Sequence, residues 1–416
     1  MAVIAKWRVL AGSVGAAASV LLTGAAPART TKSPSTNFAR FDWVEMQSSE
    51  PSPPPSKDEF RNPILAGFYP DPSIVKVGTN FYMVNSTFSW FPGIPVWHSR
   101  DLVHWRQIGN AIQRPRQLDF TGLRMSGGVF APSISYHAGR FYILNTCVGC
   151  GGNFVITASN PAGPWSQPIW LKNVDGIDPS LFFDDDGSAW LLNNDLPKGG
   201  ERYPGHRAIM MRRFDLKTLQ APGPGAMIVD SGAEPAAKPV WIEGPHLFRK
   251  DGMYYLLAAE GGTDDKHSEV VFRADRIDGP YRAAPPSINP ILTQRDAVGS
   301  SVTSTGHAQF VELDSGKWWA VFLGTRPYGP NLYNTGRETF LAPVDWYSGW
   351  PVIVPHGAKV PLVATAPALR PFAGTPTTGS FTRRDDFSTS TLPLSWMTMR
   401  TPQERWWRIE HGGLLL

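Results

Sequence analysis

The sequence predicts an all-β chain whose main domain is a five-bladed β-propeller, and three observations predict it. One hairpin pattern occurs five times along the chain. The 416 residues include 40 Gly and 39 Pro, a turn-rich mixture. Almost no stretch carries a strong helical period. Aromatic residues are 12% of the chain, with 16 Trp. Their rings suit a packed core and also the C–H faces of sugars. The formal charge is +4, with no run of Lys and Arg dense enough for a nucleic-acid stripe.

Taken in order, the chain opens with Lys6 and Arg8 ahead of VLAGSVGAAASVLLTGAA, which ends at Ala25-Ala26-Pro27-Ala28. Residues 1–28 are therefore expected to be an export signal and the protein extracellular. No later stretch is apolar enough to span a bilayer, so no membrane partner is expected. Residues 29–57 are rich in Ser, Thr and Pro and read as a flexible linker. The propeller is expected over 58–370.

Its repeats are DPSIVKVGTNFYMV (71–84), APSISYHAGRFYIL (131–144), DPSLFFDDDGSAWLL (178–192), GPHLFRKDGMYYLL (244–257) and GHAQFVELDSGKWWAVF (306–322). Each starts at a tight corner with a small or acidic residue. Alternating apolar positions follow, then a Gly-bearing turn, then an aromatic-rich strand. That is a β-hairpin repeated every roughly 45–65 residues. A hairpin that cannot bury its own face, repeated in this way, implies radial packing. VWHSRDLVHWRQIG (96–109), NFVITASNPAGPW (153–165) and VVFRADRIDGPY (270–281) read as outer strands. The only cysteines, Cys147 and Cys150 in TCVGCGG, cannot close a four-ligand zinc site. A local disulfide and a pair of free thiols both remain open.

In a propeller the first strand of each blade lines the central channel, so the repeat corners gather at one mouth. Asp71 and Asp178 stand at two corners, and Glu243 stands one residue before a third. His307 stands at the fifth, and Phe130 precedes the second. Pro70 and Pro72 restrict the backbone on either side of Asp71. Three converging carboxylates cannot all stay ionised, since repulsion and burial raise at least one pKa. One protonated acid facing one ionised base is the minimum for glycoside hydrolysis, and a separation of about 6.5–9.5 Å inverts the anomeric centre. Asp184, Asp185 and Asp186 are read instead as a solvent-facing hairpin tip.

As a set, NPILAGFYPDPSI, STFSWFPGIPVWHSRDLVHW, DGIDPSLF, IEGPHLF, AEGGT, GHAQFVE and GRETFLAPVDW resemble the family 43 glycoside hydrolases from about Asn62 onward. The likeness is to the β-xylosidase-like branch, with a five-bladed propeller and an appended β-sandwich. The resemblance implies that Asp71 is the general base and Glu243 the general acid. Asp178 would orient the acid and keep its pKa high by like-charge repulsion. It implies that Arg337 binds sugar hydroxyls and that Phe88 and Phe130 line the sugar subsite, Phe130 where much of the family has Trp. His307 matches a central-channel histidine, and His267 is a further pocket candidate. No cofactor is required by the resemblance, which leaves room for calcium or another divalent ion near His307.

Residues 371–416 resemble a linker and the start of that sandwich. A β-sandwich needs about 100 residues, so the fold expected is a five-bladed β-propeller followed by an incomplete β-sandwich. The function expected is an exported, inverting exo-glycosidase that releases terminal β-1,4-xylosyl residues from xylo-oligosaccharides. An α-L-arabinofuranosidase acting on arabinoxylan side chains is the near alternative. A carbohydrate-binding propeller without catalysis is the alternative from another class.

Overall fold

The computed structural model describes residues 2–6 (backbone only), 39–49, 55–329, 332–333 and 336–416. The described residues are all-β, interrupted by a single 3-10 turn at Pro235–Ala237. They divide into two compact units: Pro51–Gly379 with Leu394–Pro402, and Met1–Glu50 with Ser380–Pro393 and Gln403–Leu416.

In the larger unit each of the five repeated stretches folds as an antiparallel hairpin. The pairs are Ser73–Val77 with Asn80–Val84, Ser133–His137 with Arg140–Val148, and Ile177–Phe183 with Ala189–Asp195. Glu243–Lys250 with Met253–Glu260, and Thr303–Glu312 with Trp318–Thr325, complete the set. Each hairpin heads its own sheet of four or five strands, and the outer strands follow in chain order. The leading strands touch in a closed cycle. Ser73–Val77 neighbours Ser133–His137, which neighbours Ile177–Phe183, then Glu243–Lys250, then Thr303–Glu312, which returns to Ser73–Val77.

Strand periodicity explains this arrangement, because successive side chains point to opposite faces. Ile74, Phe81 and Met83 of the first sheet pack on Val311, Trp319, Val321 and Leu341 of the fifth. Val84 and Val96 of the same sheet pack on Ile134, Phe141 and Ile143 of the second. Three further clusters fill the second-to-third, third-to-fourth and fourth-to-fifth interfaces. Both faces of every sheet are therefore covered, which is why apolar residues occupy both parities in these strands.

The ring is sealed between its two chain ends. Glu59–Arg61 pairs with Val363–Thr365, and Leu65 exchanges backbone bonds with Thr339. Buried Asn62 donates to the carbonyls of Leu341 (2.8 Å) and Pro361 (3.1 Å) and accepts the Leu341 amide (2.9 Å). Asn62→Ala leaves those three backbone groups without partners. It is expected to destabilise the protein by about 2–3 kcal/mol, seen as a lower denaturation midpoint with the same denaturant slope.

The smaller unit holds two three-stranded sheets. Val44–Ser49 lies between Ala2–Lys6 and Phe381–Asp385. Gly413–Leu415 lies between Arg40–Phe41 and Arg408–Glu410. The Arg384 guanidinium sits 4.5 Å from the Trp43 ring centre. This corrects the flexible linker expected over 29–57. Its Ser and Pro content hides RFDWVEM, whose Phe41, Trp43, Val44 and Met46 suit a half-covered strand. Residues 1 and 7–28 of the expected signal, and 29–38 and 50–54 of that linker, lie outside the described residues. Within 371–416, expected to be a linker and the start of a sandwich, Leu394–Pro402 belongs to the larger unit and finds backbone partners there, while Ser380–Pro393 and Gln403–Leu416 belong to the smaller one. Cys147 and Cys150 form a disulfide across the turn after Arg140–Val148.

Candidate active site

Three of the five repeat corners are β-bulges. Register shifts fall between Ile177 and Ser180, Glu243 and His246, and Gly306 and Gln309. The residue at each takes a left-handed backbone: Asp178 at φ 55°, Gly244 at 58° and His307 at 52°. Asp71, just ahead of the first sheet, stands at 51°. A bulge re-aims a side chain out of the sheet's alternation. Non-glycine residues resist this conformation by roughly 1–2 kcal/mol each, a strain that gathers at functional sites. In the fourth sheet the left-handed position is Gly244, and a Cβ there would lie 2.8 Å from the His307 ring. The acid of that corner therefore stands one residue earlier, on the longer side chain of Glu243.

Asp71, Asp178, Glu243, Arg337 and His307 line one cavity of about 600 Å³, with Phe88 and Phe130 on its wall. The two rings meet edge to face at 5.5 Å. Seven of the eight residues expected at the site are thus brought together. His267 is not among the lining residues. It is fully buried, its Nδ1 lies 2.8 Å from the Gly262 carbonyl, and its ring presses against Gly306. Burial pushes its pKa down to about 3, so it is neutral. His307 is held below its usual value, first by burial.

The carboxylates are set apart by their surroundings. Burial would raise the Asp71 pKa, but Arg337, His307 and Ser86 outweigh it and the net shift is downward. Arg337 Nη1 donates to Asp71 Oδ1 at 2.7 Å, and the Ser86 hydroxyl donates to Oδ2. Glu243 has no such hydrogen-bond partner among the described residues. Burial, then the charge of Asp71, raises its pKa to about 7, and the opposing pull of Arg337 is the smallest of the three influences. Asp178 is pushed well above the usual range by burial, then by Glu243 and Asp71, while its Oδ2 accepts the Gly244 amide at 3.1 Å. The repulsion expected from Asp178 onto Glu243 is dominated by burial and Asp71 instead. Near neutral pH the cavity therefore holds one ionised carboxylate and protonated acid beside it.

Other parts of the site had no sequence signal. Ser86 is a short hydroxyl two residues before Phe88. Asn85 is buried and donates to the carbonyls of Tyr69 (3.2 Å) and Pro70 (3.0 Å), steadying the Asp71 corner. Trp241, two residues before Glu243, joins Arg124 and Lys266 on the cavity wall. Trp90 pairs with Met399 and is not among the lining residues. Near His307, both Asp71 oxygens are already engaged. Among the described residues no group of three His, Cys, Asp or Glu converges to hold a metal. That donor set does not fit directly ligated calcium, which takes six to eight oxygens, and no step below uses a metal.

Arg337 serves two parts of the site, since its guanidinium also lies 5.4 Å from the Phe88 ring centre. Arg337→Ala removes the cation that favours ionised Asp71 and leaves burial to dominate. The acid limb of kcat/KM should move to higher pH and KM should rise about tenfold or more. A pH–rate profile of the variant on a chromogenic substrate checks both.

Residues 60–351 match the profile of "Glycosyl hydrolases family 43". A xylosidase/arabinosidase of Butyrivibrio fibrisolvens is 45% identical over 71% of this chain and 56% of its own length. A non-reducing-end α-L-arabinofuranosidase of Bacteroides ovatus is 40% identical over 84% of this chain and 63% of its own. The chain thus spans little more than half the length of the first and under two thirds of the second. Among solved structures, a GH43_12 protein retrieved from capybara gut metagenome superposes with a TM-score of 0.81 at 42% identity, covering 90% of this chain and 71% of that one. A xylan β-1,4-xylosidase from Bacillus halodurans gives 0.76 at 39% identity, covering 84% and 66%.

Proposed function

Because this chain belongs to glycosyl hydrolase family 43, we propose that it is an exported, inverting exo-glycosidase carried on a five-bladed β-propeller, acting on the non-reducing ends of xylan-derived oligosaccharides. The reading rests on one observation: Asp71 and Glu243 line the same cavity, one held ionised and the other protonated up to about pH 7. In the reaction a water donates its proton to Asp71 as its oxygen bonds to the anomeric carbon. The bond from that carbon to the glycosidic oxygen breaks, and Glu243 gives its proton to the departing oxygen. Asp178 receives the Gly244 amide and so fixes the backbone next to Glu243. Phe88 and Phe130 offer flat apolar faces to a pentose ring.

The preferred sugar in this reading is terminal β-1,4-linked xylose. Release of α-L-arabinofuranose is kept as a second reading, because the names of two relatives include arabinosidase or arabinofuranosidase activity. Paired assays on p-nitrophenyl β-D-xyloside and α-L-arabinofuranoside decide between them, with Glu243→Ala as control. Proton NMR of the first anomer released tests the stereochemistry. A product that keeps the substrate's configuration rejects inversion, and binding of pentosans without turnover rejects catalysis.

A further inference from the structure

The segment Leu394–Pro402 packs within the larger unit, against two stretches that wall the cavity. Thr398–Met399 pairs antiparallel with Trp90–Phe91. Buried Thr401 donates its hydroxyl to the Leu118 carbonyl (2.9 Å) and accepts the Phe120 amide (3.1 Å). Arg400 lies between these anchors and reaches both stretches. Its backbone amide donates to the Ser89 carbonyl at 2.7 Å, and its Nε donates to the Leu123 carbonyl at 2.8 Å. Ser89 directly follows Phe88 and Leu123 directly precedes Arg124, and Phe88 and Arg124 both line the cavity. The Ser89 hydroxyl donates to the Met125 carbonyl at 3.1 Å, beside lining residue Ser126. Phe88 itself has a left-handed backbone, φ 50°. For a bulky aromatic that conformation persists only where several contacts enforce it. The Phe88–Val129 backbone bridge supplies one such restraint, and Arg400 supplies another.

We propose that Arg400 is a positioning residue for the substrate pocket, fixing the wall segments that carry Phe88 and Arg124 so that a pentose ring meets a preformed surface. The inference rests on the glycosidase reading for its ligand. Arg400 touches neither Asp71 nor Glu243, so its loss acts on binding and leaves the protonation of the acid and the base alone. A preformed wall lowers the ordering cost of binding.

The test compares wild type, Arg400→Ala and Arg400→Lys in two measurements. The first is hydrogen–deuterium exchange over residues 87–91 and 119–125. The second is KM and kcat on both p-nitrophenyl pentosides. Arg400→Ala should raise exchange over 119–125, which its side chain holds through the Leu123 carbonyl, and leave 87–91, held by the main-chain amide of residue 400, near wild type. It should raise KM about five- to tenfold, the size expected of one ordinary hydrogen bond, and keep kcat within about twofold. The lysine variant, which keeps a cationic donor, should recover most of the KM. Unchanged exchange over 119–125 overturns the proposal. So does raised exchange with an unchanged KM, or a loss in kcat that tracks the melting temperature and is not recovered by lysine. If wild type turns over neither pentoside, the glycosidase reading fails, and thermal-shift affinities for D-xylose and L-arabinose replace KM in deciding the proposal.

Discussion

Asp71→Ala is expected to remove hydrolysis of every substrate, by about 10⁴-fold, at the upper end of what one general base contributes. The reason lies in what Asp71 does and how it is held. Its carboxylate is the one the site keeps ionised, through Arg337 and Ser86. A better leaving group does not restore the rate, because it helps the bond to break and does nothing to activate the water. The variant also leaves the Arg337 guanidinium facing the cavity without its partner. A modest loss of stability should accompany the loss of rate, and circular dichroism melting separates the two. Activity on p-nitrophenyl xyloside within tenfold of wild type would assign the base elsewhere.

Glu243→Ala should behave in the opposite way across substrates. On xylobiose, whose leaving alcohol needs a proton, the rate should fall by about 10³-fold. On an aryl glycoside with an acidic phenol it should fall far less, because that leaving group departs without protonation. The pH profile gives a second readout. In the wild type, activity should decline as pH rises through about 7, where Glu243 gives up its proton. In the variant this alkaline limb should disappear and leave only the acid limb set by Asp71. The same shift affects stability. Glu243 binds its proton more tightly folded than unfolded, so its stabilising contribution is complete below about pH 4.5 and is lost as pH rises through about 7. Equal losses on good and poor leaving groups, with the limb intact, would refute the assignment of Glu243 as the acid.

The hairpins and the acids were legible in the sequence for one reason: both recur in register. Five stretches with the same corner, turn and aromatic strand carry more information than any one Asp-Pro. The corners then brought Asp71, Asp178 and Glu243 to one cavity. What could not be read was whatever depends on a single contact between distant segments. Ser86 is one hydroxyl among many, and its bond to Asp71 exists only after the first hairpin has folded. His267 follows a recognisable AEGGT segment but turns into the core, because its ring fits against Gly306. The strands at 40–49 escaped because partners on one side of each, Phe381–Asp385 and Gly413–Leu415, lie more than 300 residues away in the chain. Their Ser-rich surroundings dilute the apolar alternation. The role of Leu394–Pro402 was hidden for the same reason, since its partners, strand Trp90–Phe91 and loop groups at Ser89 and 118–123, lie far away in the chain.

The closed cycle of sheets also has a consequence for how the protein is made. Ribosomes deliver the first sheet early, yet the face bearing Ile74, Phe81 and Met83 is covered by Val311, Trp319 and Val321 of the last. At synthesis rates of about 5–20 residues per second, that surface waits roughly 10–50 s for its cover. The nascent chain therefore carries an open apolar flank through most of translation, a natural target for holdase chaperones. Catalytic competence arrives at the same late moment. Asp71 is an early residue and Arg337, its ion-pair partner, is a late one, so the cation that keeps the buried carboxylate ionised arrives only when the final sheet docks. Protease sensitivity of ribosome-bound chains should persist until residues past Leu341 have emerged, and then fall in a single step.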